Sequence, residues 1–222
     1  MNIDFYREHG YWIERKLLTH YACDVLIEEA KRFENYTSGS YRPQMMPHRG
    51  SDKFLYAFKI PGLLMHAAVS GKPVGLQTEF FYCKPGTKGF ALHQDNFFVE
   101  APEGSFASAW IALTDITPEK CGLVIYPGSH KAGLFPVQVL EHEDVIGQAP
   151  NANKTKCIIP HHYQPFNVTV AKGDAVIFDG HLVHGSHKNS TEDWRYVLLC
   201  TYIRKGEPFR AGKYAQREAV EL

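Results

Sequence analysis

The spacing of hydrophobic and polar positions changes once along the chain. Between residues 19 and 33 the apolar side chains Ala22, Val25, Leu26, Ala30 and Phe33 recur at three- and four-residue intervals, as on one face of an α-helix. Thr19 stands where an N-cap belongs, and a shorter helix is predicted around residues 4–9. From about residue 54 the texture shifts to short runs rich in aromatic and β-branched residues, broken by Pro-Gly, Lys-Gly and Gly-Asp pairs, and such runs read as strands. The predicted strands are residues 54–60, 75–83, 90–93, 106–113, 123–126, 167–170, 175–179 and 194–203. Helices followed by many short strands predict an α+β, mainly β chain built on a sandwich or barrel.

Residues 131–162 are the least regular stretch, with Ala-Pro-Asn-Ala-Asn in their middle, and predict a long connection over the barrel mouth. Connections of that length in a compact domain are usually functional. With 222 residues and 44% hydrophobic content, the chain suffices for one well-buried core. We therefore expect a single domain over residues 1–222, with helical support in 1–50, the β core in 51–205 and a C-terminal tail in 206–222.

Charge narrows the partners. Twenty-four basic residues balance twenty-four acidic ones, so the chain lacks the basic excess that nucleic acid or an anionic membrane would favour. A small molecule recognised at a local site is expected instead. The five cysteines, Cys23, Cys83, Cys121, Cys157 and Cys200, form no C-x-x-C pair and suit a reducing compartment. The N-terminal stretch mixes acids and bases with no apolar signal region, and no run approaches the roughly 20 apolar residues that span a bilayer. A soluble, cytoplasmic protein is expected.

The first chemical signal is His93-Gln94-Asp95, preceded by Phe90-Ala91-Leu92. On an extended segment, residues two apart face the same way, which would bring an imidazole and a carboxylate together. Two histidines and one carboxylate on one face of Fe(II), with the opposite face open, make the facial triad of non-haem oxygenases. Gly180-His181-Leu182-Val183-His184-Gly185-Ser186 offers two candidates for the third ligand. His184 is the better one, because the following Gly-Ser lets the backbone pack closely while the hydroxyl reaches a ligand. Arg195 alternates with Val197 and Leu199 on one strand face. A guanidinium facing an apolar interior needs an anion; a protein carboxylate is one partner, and the distal carboxylate of 2-oxoglutarate is another.

At this point the chain resembles the phytanoyl-CoA dioxygenase-like branch of the Fe(II)/2-oxoglutarate oxygenases. The residues that carry the resemblance run from Cys83-Lys84-Pro85-Gly86 through Leu92-His93-Gln94-Asp95, Ala109-Trp110-Ile111-Ala112-Leu113 and the segment 122–131 to Gly173-Asp174, His184-Gly185-Ser186 and Arg195. The resemblance implies a double-stranded β-helix, that is, a jelly-roll or cupin-like barrel. It also implies iron held by His93, Asp95 and His184, and 2-oxoglutarate held by Arg195, with Ser186 beside its distal carboxylate and Trp110 and Phe80 in the pocket wall. The expected reaction uses Fe(II), 2-oxoglutarate and O2 to hydroxylate a small molecule, releasing succinate and CO2. Asp95 fills the position that related halogenases leave to a halide, so hydroxylation is the expected outcome. His130 and the pair His161-His162 are not expected to bind metal. Gln94, Asn96, Phe98 and residues around 42–49 are candidate substrate contacts. Two alternatives stay open on the residues alone: a silent β-helix binding module, and a metal-dependent enzyme that does not use 2-oxoglutarate.

Overall fold

The computed structural model describes residues 1–33, 43–141 and 154–222. Helix α1 (Ile3–His9) is capped by the Asn2 side chain, which accepts from the Phe5 amide, and α2 (His20–Ala30) by Thr19, which accepts from Ala22. Both caps satisfy amides that a helix start otherwise leaves unpaired. Between them β1 (Tyr11–Glu14) joins the principal sheet.

The largest departure from the sequence reading comes next. Residues 54–60, predicted as a strand, belong to helix α3 (Asp52–Lys59), and α4 (Gly62–Ala68) follows. Phe54, Ala57 and Phe58 are buried while Tyr56 is exposed, so the segment follows the three-and-four spacing of a helix. Its aromatic composition suggested a strand; its burial pattern does not. The helical support therefore extends beyond residue 50 to Ala68.

Six strands form the principal antiparallel sheet in the order β1-β9-β4-β11-β3-β2, with β2 Gln44–Met45, β3 Pro73–Cys83, β4 Phe106–Ala112, β9 Ala175–Asp179 and β11 Arg195–Arg204. A second sheet runs β10-β5-β8, from β5 Leu123–Ile125, β8 Phe166–Asn167 and β10 His184–Ser186. Within the irregular connection, β6 (Val137–Val139) pairs with β7 (Thr155–Cys157) as a hairpin. The Ala-Pro-Asn-Ala-Asn segment lies outside the described residues. The predicted strand at 167–170 is reduced to β8 and a bridge at Val170, and that at 90–93 to a bridge at His93.

Strand residues alternate between faces, and this separates the two largest clusters of the core. The outer face of the principal sheet, with Phe80, Ala109, Leu198 and Tyr202, packs against Tyr6, Leu26, Phe54, Phe58 and Met65 of the helices. The inner face, with Phe81, Trp110, Phe178 and Val197, packs against Leu123 and Ile125 of the second sheet. Two antiparallel sheets closed over a cavity, with the helices outside, make the mainly β, double-stranded β-helix architecture. No helix among the described residues is long and apolar enough to cross a membrane.

Candidate metal and cosubstrate site

The two histidine-bearing segments meet backbone to backbone. His93 and His184 form an antiparallel bridge, each amide donating to the other's carbonyl at 2.8 and 3.0 Å. Gly185 permits this approach, since a Cβ there would sit 2.9 Å from the Phe90 carbonyl oxygen. Ser129, in the turn after Gly128, accepts from the Val183 amide at 2.9 Å and supports the same strand from the other side.

Each imidazole is oriented through its Nδ1, which lies 2.7 Å from the Ala91 carbonyl oxygen in His93 and 3.0 Å from that of Leu182 in His184. A carbonyl can only accept, so Nδ1 carries a proton, and the neutral ring presents its lone pair at Nε2. Both Nε2 atoms turn to Asp95 Oδ1, at 3.6 Å for His93 and 3.5 Å for His184. Ser108 donates to Asp95 Oδ2 at 2.7 Å and fixes the carboxylate. One ligand atom from each of the three side chains lies within 4.8 Å of the others. Burial, and then the adjacent His184, pushes His93 down to about 4 against the pull of Asp95. A neutral imidazole is the form that binds a metal. Two imidazole nitrogens and one carboxylate, each held by an outer partner, fit a divalent transition metal.

Asp95 reaches this position by a different route from the period-two argument. Its φ of −59° and ψ of −35° are helical, and it immediately precedes helix α5 (Asn96–Val99). The pair converges at a strand-to-helix turn, without a pleat. His181 stands apart from the cluster: its Nε2 is 3.0 Å from the Asn96 side chain and its Nδ1 3.6 Å from Asp179. Among the described residues His93, Asp95 and His184 form the one such cluster found. His161 and His162 are exposed in a loop, and His130 contacts the Arg7 carbonyl oxygen.

The cluster opens into a cavity of about 520 Å³ between the sheets. Along β11 the inward residues are Arg195, Val197, Leu199 and Thr201, and their register partners on β3 are Cys83, Phe81, Glu79 and Gln77. Arg195 is only 2% exposed. Its Nε and Nη2 donate to the Cys121 carbonyl oxygen at 3.2 and 2.9 Å, and its guanidinium lies 5.4 Å from the Trp110 ring centroid. The Cys121 thiol is held down to about 6, first by a hydrogen bond from Cys83 and then, against burial, by the Arg195 charge. Trp110 and Ser186 line the same cavity, and the Ser186 hydroxyl accepts from the Phe90 amide at 2.9 Å.

Three expected contacts are corrected. Phe80 points to the outer face, fully buried among Phe54 and Tyr196, and its neighbour Phe81 lines the cavity instead. Gln94 is buried and spent on loop packing: it donates to the carbonyls of Gly133 and His181 and accepts from Phe135. Asn96 closes a loop with Ala101 through both ends of its amide. Phe98 does line the cavity, as do Pro43 and Met45 of the expected 42–49 stretch; Arg42 lies outside the described residues.

The sequence reading missed Gln77, Glu79, Thr201 and Arg217, all on the cavity wall. The polar run Gln77-Thr78-Glu79 within an otherwise apolar strand, and Thr201 opposite it, were a signal of a special site without telling which face it takes. Arg217 carried no local signal, because the C-terminal segment reaches the cavity only in the folded chain. Among described residues the mouth is lined by that segment, and the 131–162 connection contributes none.

The class is thus a double-stranded β-helix with a His-x-Asp and a distant His gathered in the cavity between its sheets. The chain belongs to the phytanoyl-CoA dioxygenase (PhyH) family, whose model matches residues 6–197. It is 28% identical over 156 residues to the peroxisomal phytanoyl-CoA dioxygenase of Rattus norvegicus, covering 68% of this chain and 42% of that protein. It therefore spans less than half the length of that relative. Among solved structures it resembles the epimerase SnoN in complex with Fe3+, α-ketoglutarate and nogalamycin RO, with TM-score 0.76, 18% identity and coverage of 99% and 93% of the two chains. EvdO2 of Micromonospora carbonacea var. aurantiaca, complexed with 2-oxoglutarate, gives TM-score 0.74 at 15% identity, covering 96% and 94%. At these identities the two structures bear on the fold.

Proposed function

We propose that this chain is an Fe(II)- and 2-oxoglutarate-dependent dioxygenase that hydroxylates a C–H bond of a small molecule. The observation that carries the reading is that His93, Asp95 and His184 share one cavity with the buried guanidinium of Arg195. Family membership supports it. Iron, when bound, couples O2 activation to the oxidative decarboxylation of 2-oxoglutarate, giving succinate and CO2.

The residues of the chain have separate tasks. His93 and His184 present Nε2 lone pairs because Ala91 and Leu182 hold their Nδ1 protons. Asp95 supplies the compensating charge, and Ser108 limits its rotation. Arg195 anchors the distal carboxylate of 2-oxoglutarate by a charge-assisted pair, which a planar guanidinium can make in two-pronged form. Ser186 lies on the same wall, and Trp110, Leu123 and Phe178 keep water from that end. Their apolar surfaces strengthen every polar contact they enclose. The balanced charge of the chain fits a small-molecule partner, and five free, buried cysteines fit a reducing compartment such as the cytoplasm.

An anaerobic calorimetric titration of 2-oxoglutarate into the Fe(II)-loaded protein tests the reading, and saturable one-to-one binding is expected. Iron binding with no affinity for 2-oxoglutarate would sink it, leaving a metal-dependent enzyme of another kind.

A further inference from the structure

Beyond the metal ligands the cavity has a second polar region, which the mechanism above leaves unused. Gln77, Thr201 and Ser108 are register partners across β3, β11 and β4, in one row on the inner face. Ser108 holds Asp95, so this row abuts the metal ligands. Arg195 is six residues away along β11, about 20 Å of strand, so the row is well separated from the cosubstrate anchor.

Several atoms here lack partners. Gln77 and Thr201 are each only 4% exposed, yet Gln77 Oε1 and Thr201 Oγ1 make no hydrogen bond, and neither does the buried Nε of Arg217. All three residues line the cavity together with Glu79, which accepts from the Gln77 amide nitrogen. Arg217 is held across the mouth by the C-terminal segment. Its Nη1 donates to the carbonyls of Phe98 and Arg210, Arg49 donates to the Gln216 carbonyl, and Val220 bridges to Gly75. Four polar side chains from β3, β11 and the chain terminus are thus directed at one space.

Buried polar groups are nearly always satisfied, and an unpaired one calls for an explanation. Here the explanation must supply a donor to Gln77 Oε1 and an acceptor to Arg217 Nε, beside a Glu79 carboxyl that already accepts from Gln77. Thr201 Oγ1 takes either. A hydroxyl both donates and accepts, so adjacent hydroxyls meet every requirement. A lone carboxylate would suit Arg217 but face Glu79, and a lone cation the reverse, whereas the partnerless Gln77 Oε1 and Thr201 Oγ1 are neutral groups that hydroxyls match. A hydrocarbon chain would leave Gln77 Oε1, Thr201 Oγ1 and Arg217 Nε unpaired. Arg210 is already matched by Glu100 at 2.8 Å.

We infer that Gln77, Glu79, Thr201 and Arg217 form the substrate subsite, and that it takes a neutral molecule with neighbouring hydroxyl groups, of sugar or cyclitol type, in preference to an acyl chain. This rests on the dioxygenase reading and names its substrate class. The cavity volume of about 520 Å³ lies within the roughly 300–1,000 Å³ of small-molecule sites.

The test uses the whole protein loaded with Fe(II) and 2-oxoglutarate under anaerobic conditions. Calorimetry would score binding of neutral methyl glycosides and cyclitols, with straight-chain acyl-CoA and free amino acids as comparators. At least one polyol should bind, and Gln77→Leu and Thr201→Val should each weaken it about tenfold, the usual scale for one lost partner. Both variants should still bind 2-oxoglutarate, which shows that the site is folded. A panel with no polyol binder, tighter binding of the acyl-CoA or an amino acid, or variants that bind the polyol like wild type would each overturn the inference while the dioxygenase reading stands. Failure of 2-oxoglutarate to bind the wild-type protein would remove that reading first, and the inference with it.

Discussion

Successive residues of β3 and β11 point to opposite faces of one sheet, and the two faces differ in kind. Outward, Phe80, Tyr82, Leu198, Cys200 and Tyr202 meet the helices in a closely packed layer. Tyr202 donates its hydroxyl to the Phe58 carbonyl at 2.7 Å. Inward, the same two strands carry Gln77, Glu79, Arg195 and Thr201 into the cavity. The outer face spends its side chains on burial, the dominant favourable term in folding. The inner face keeps polar groups out of bulk water, which weakens the fold and gains directional binding. One strand serves both because its side-chain period is two, so a one-residue register slip would exchange the two roles.

The sharpest test of the inner face is His184→Ala, which should abolish stoichiometric Fe(II) binding in metal analysis of the purified variant. His181→Ala, at a histidine outside the cluster, should retain it; the opposite result would reassign the third ligand. The outer face is tested by Phe80→Ala. Removing a fully buried phenylalanine typically costs about 3–5 kcal/mol, to be read from the denaturant midpoint, with 2-oxoglutarate affinity of the folded fraction unchanged. A loss of affinity would show that the faces are not separable.

Arg195→Ala should keep the iron and lose the cosubstrate. Truncating one partner of a desolvated charge pair costs about 2–5 kcal/mol, or roughly thirtyfold to several thousandfold in affinity. Arg195→Lys should recover only part of it, since an ammonium cannot make the two-pronged bond. Anaerobic calorimetry reads both.

The smallest expected effect concerns His48, buried against Phe58 with Nδ1 2.7 Å from Thr78 Oγ1. Burial, helped by the Arg49 charge, lowers it from 6.5 to about 4. Between these values the unfolded chain binds a proton that the folded ring refuses. Stability from this group is therefore complete above about pH 6.5 and is lost as pH falls toward 4, by at most about 3 kcal/mol. Unfolding curves over that range should be shallower in pH for His48→Gln than for wild type; equal slopes would mean that the ring is not held neutral.

Much of this architecture was legible before folding. The 19–33 periodicity and Thr19 located α2 and its cap, and the strand runs at 75–83, 106–113, 175–179 and 194–203 fell on β3, β4, β9 and β11. Four residues gathered round the cavity, His93, Asp95, His184 and Arg195, came from short motifs that name the residue types, although the local pattern did not give Asp95 its direction. Residues 54–60 misled because aromatic composition was weighed above three-and-four spacing. Phe80 was mistaken for Phe81 because nothing in a strand buried on both faces says which parity looks inward.

The sequence by itself therefore determined the helix-then-strand order, the family motifs and the chemical character of the proposed metal and cosubstrate residues. Those are local properties, set by periodicity and residue type. Only the tertiary structure decided which sheet face became the cavity, how Asp95 turns into the cluster from a helical start, and that Arg217 closes the far end beside Gln77 and Thr201. Gln77 and Arg217 stand far apart along the chain yet line one cavity, and no local pattern encodes a pairing whose register depends on how two sheets and a terminal segment pack.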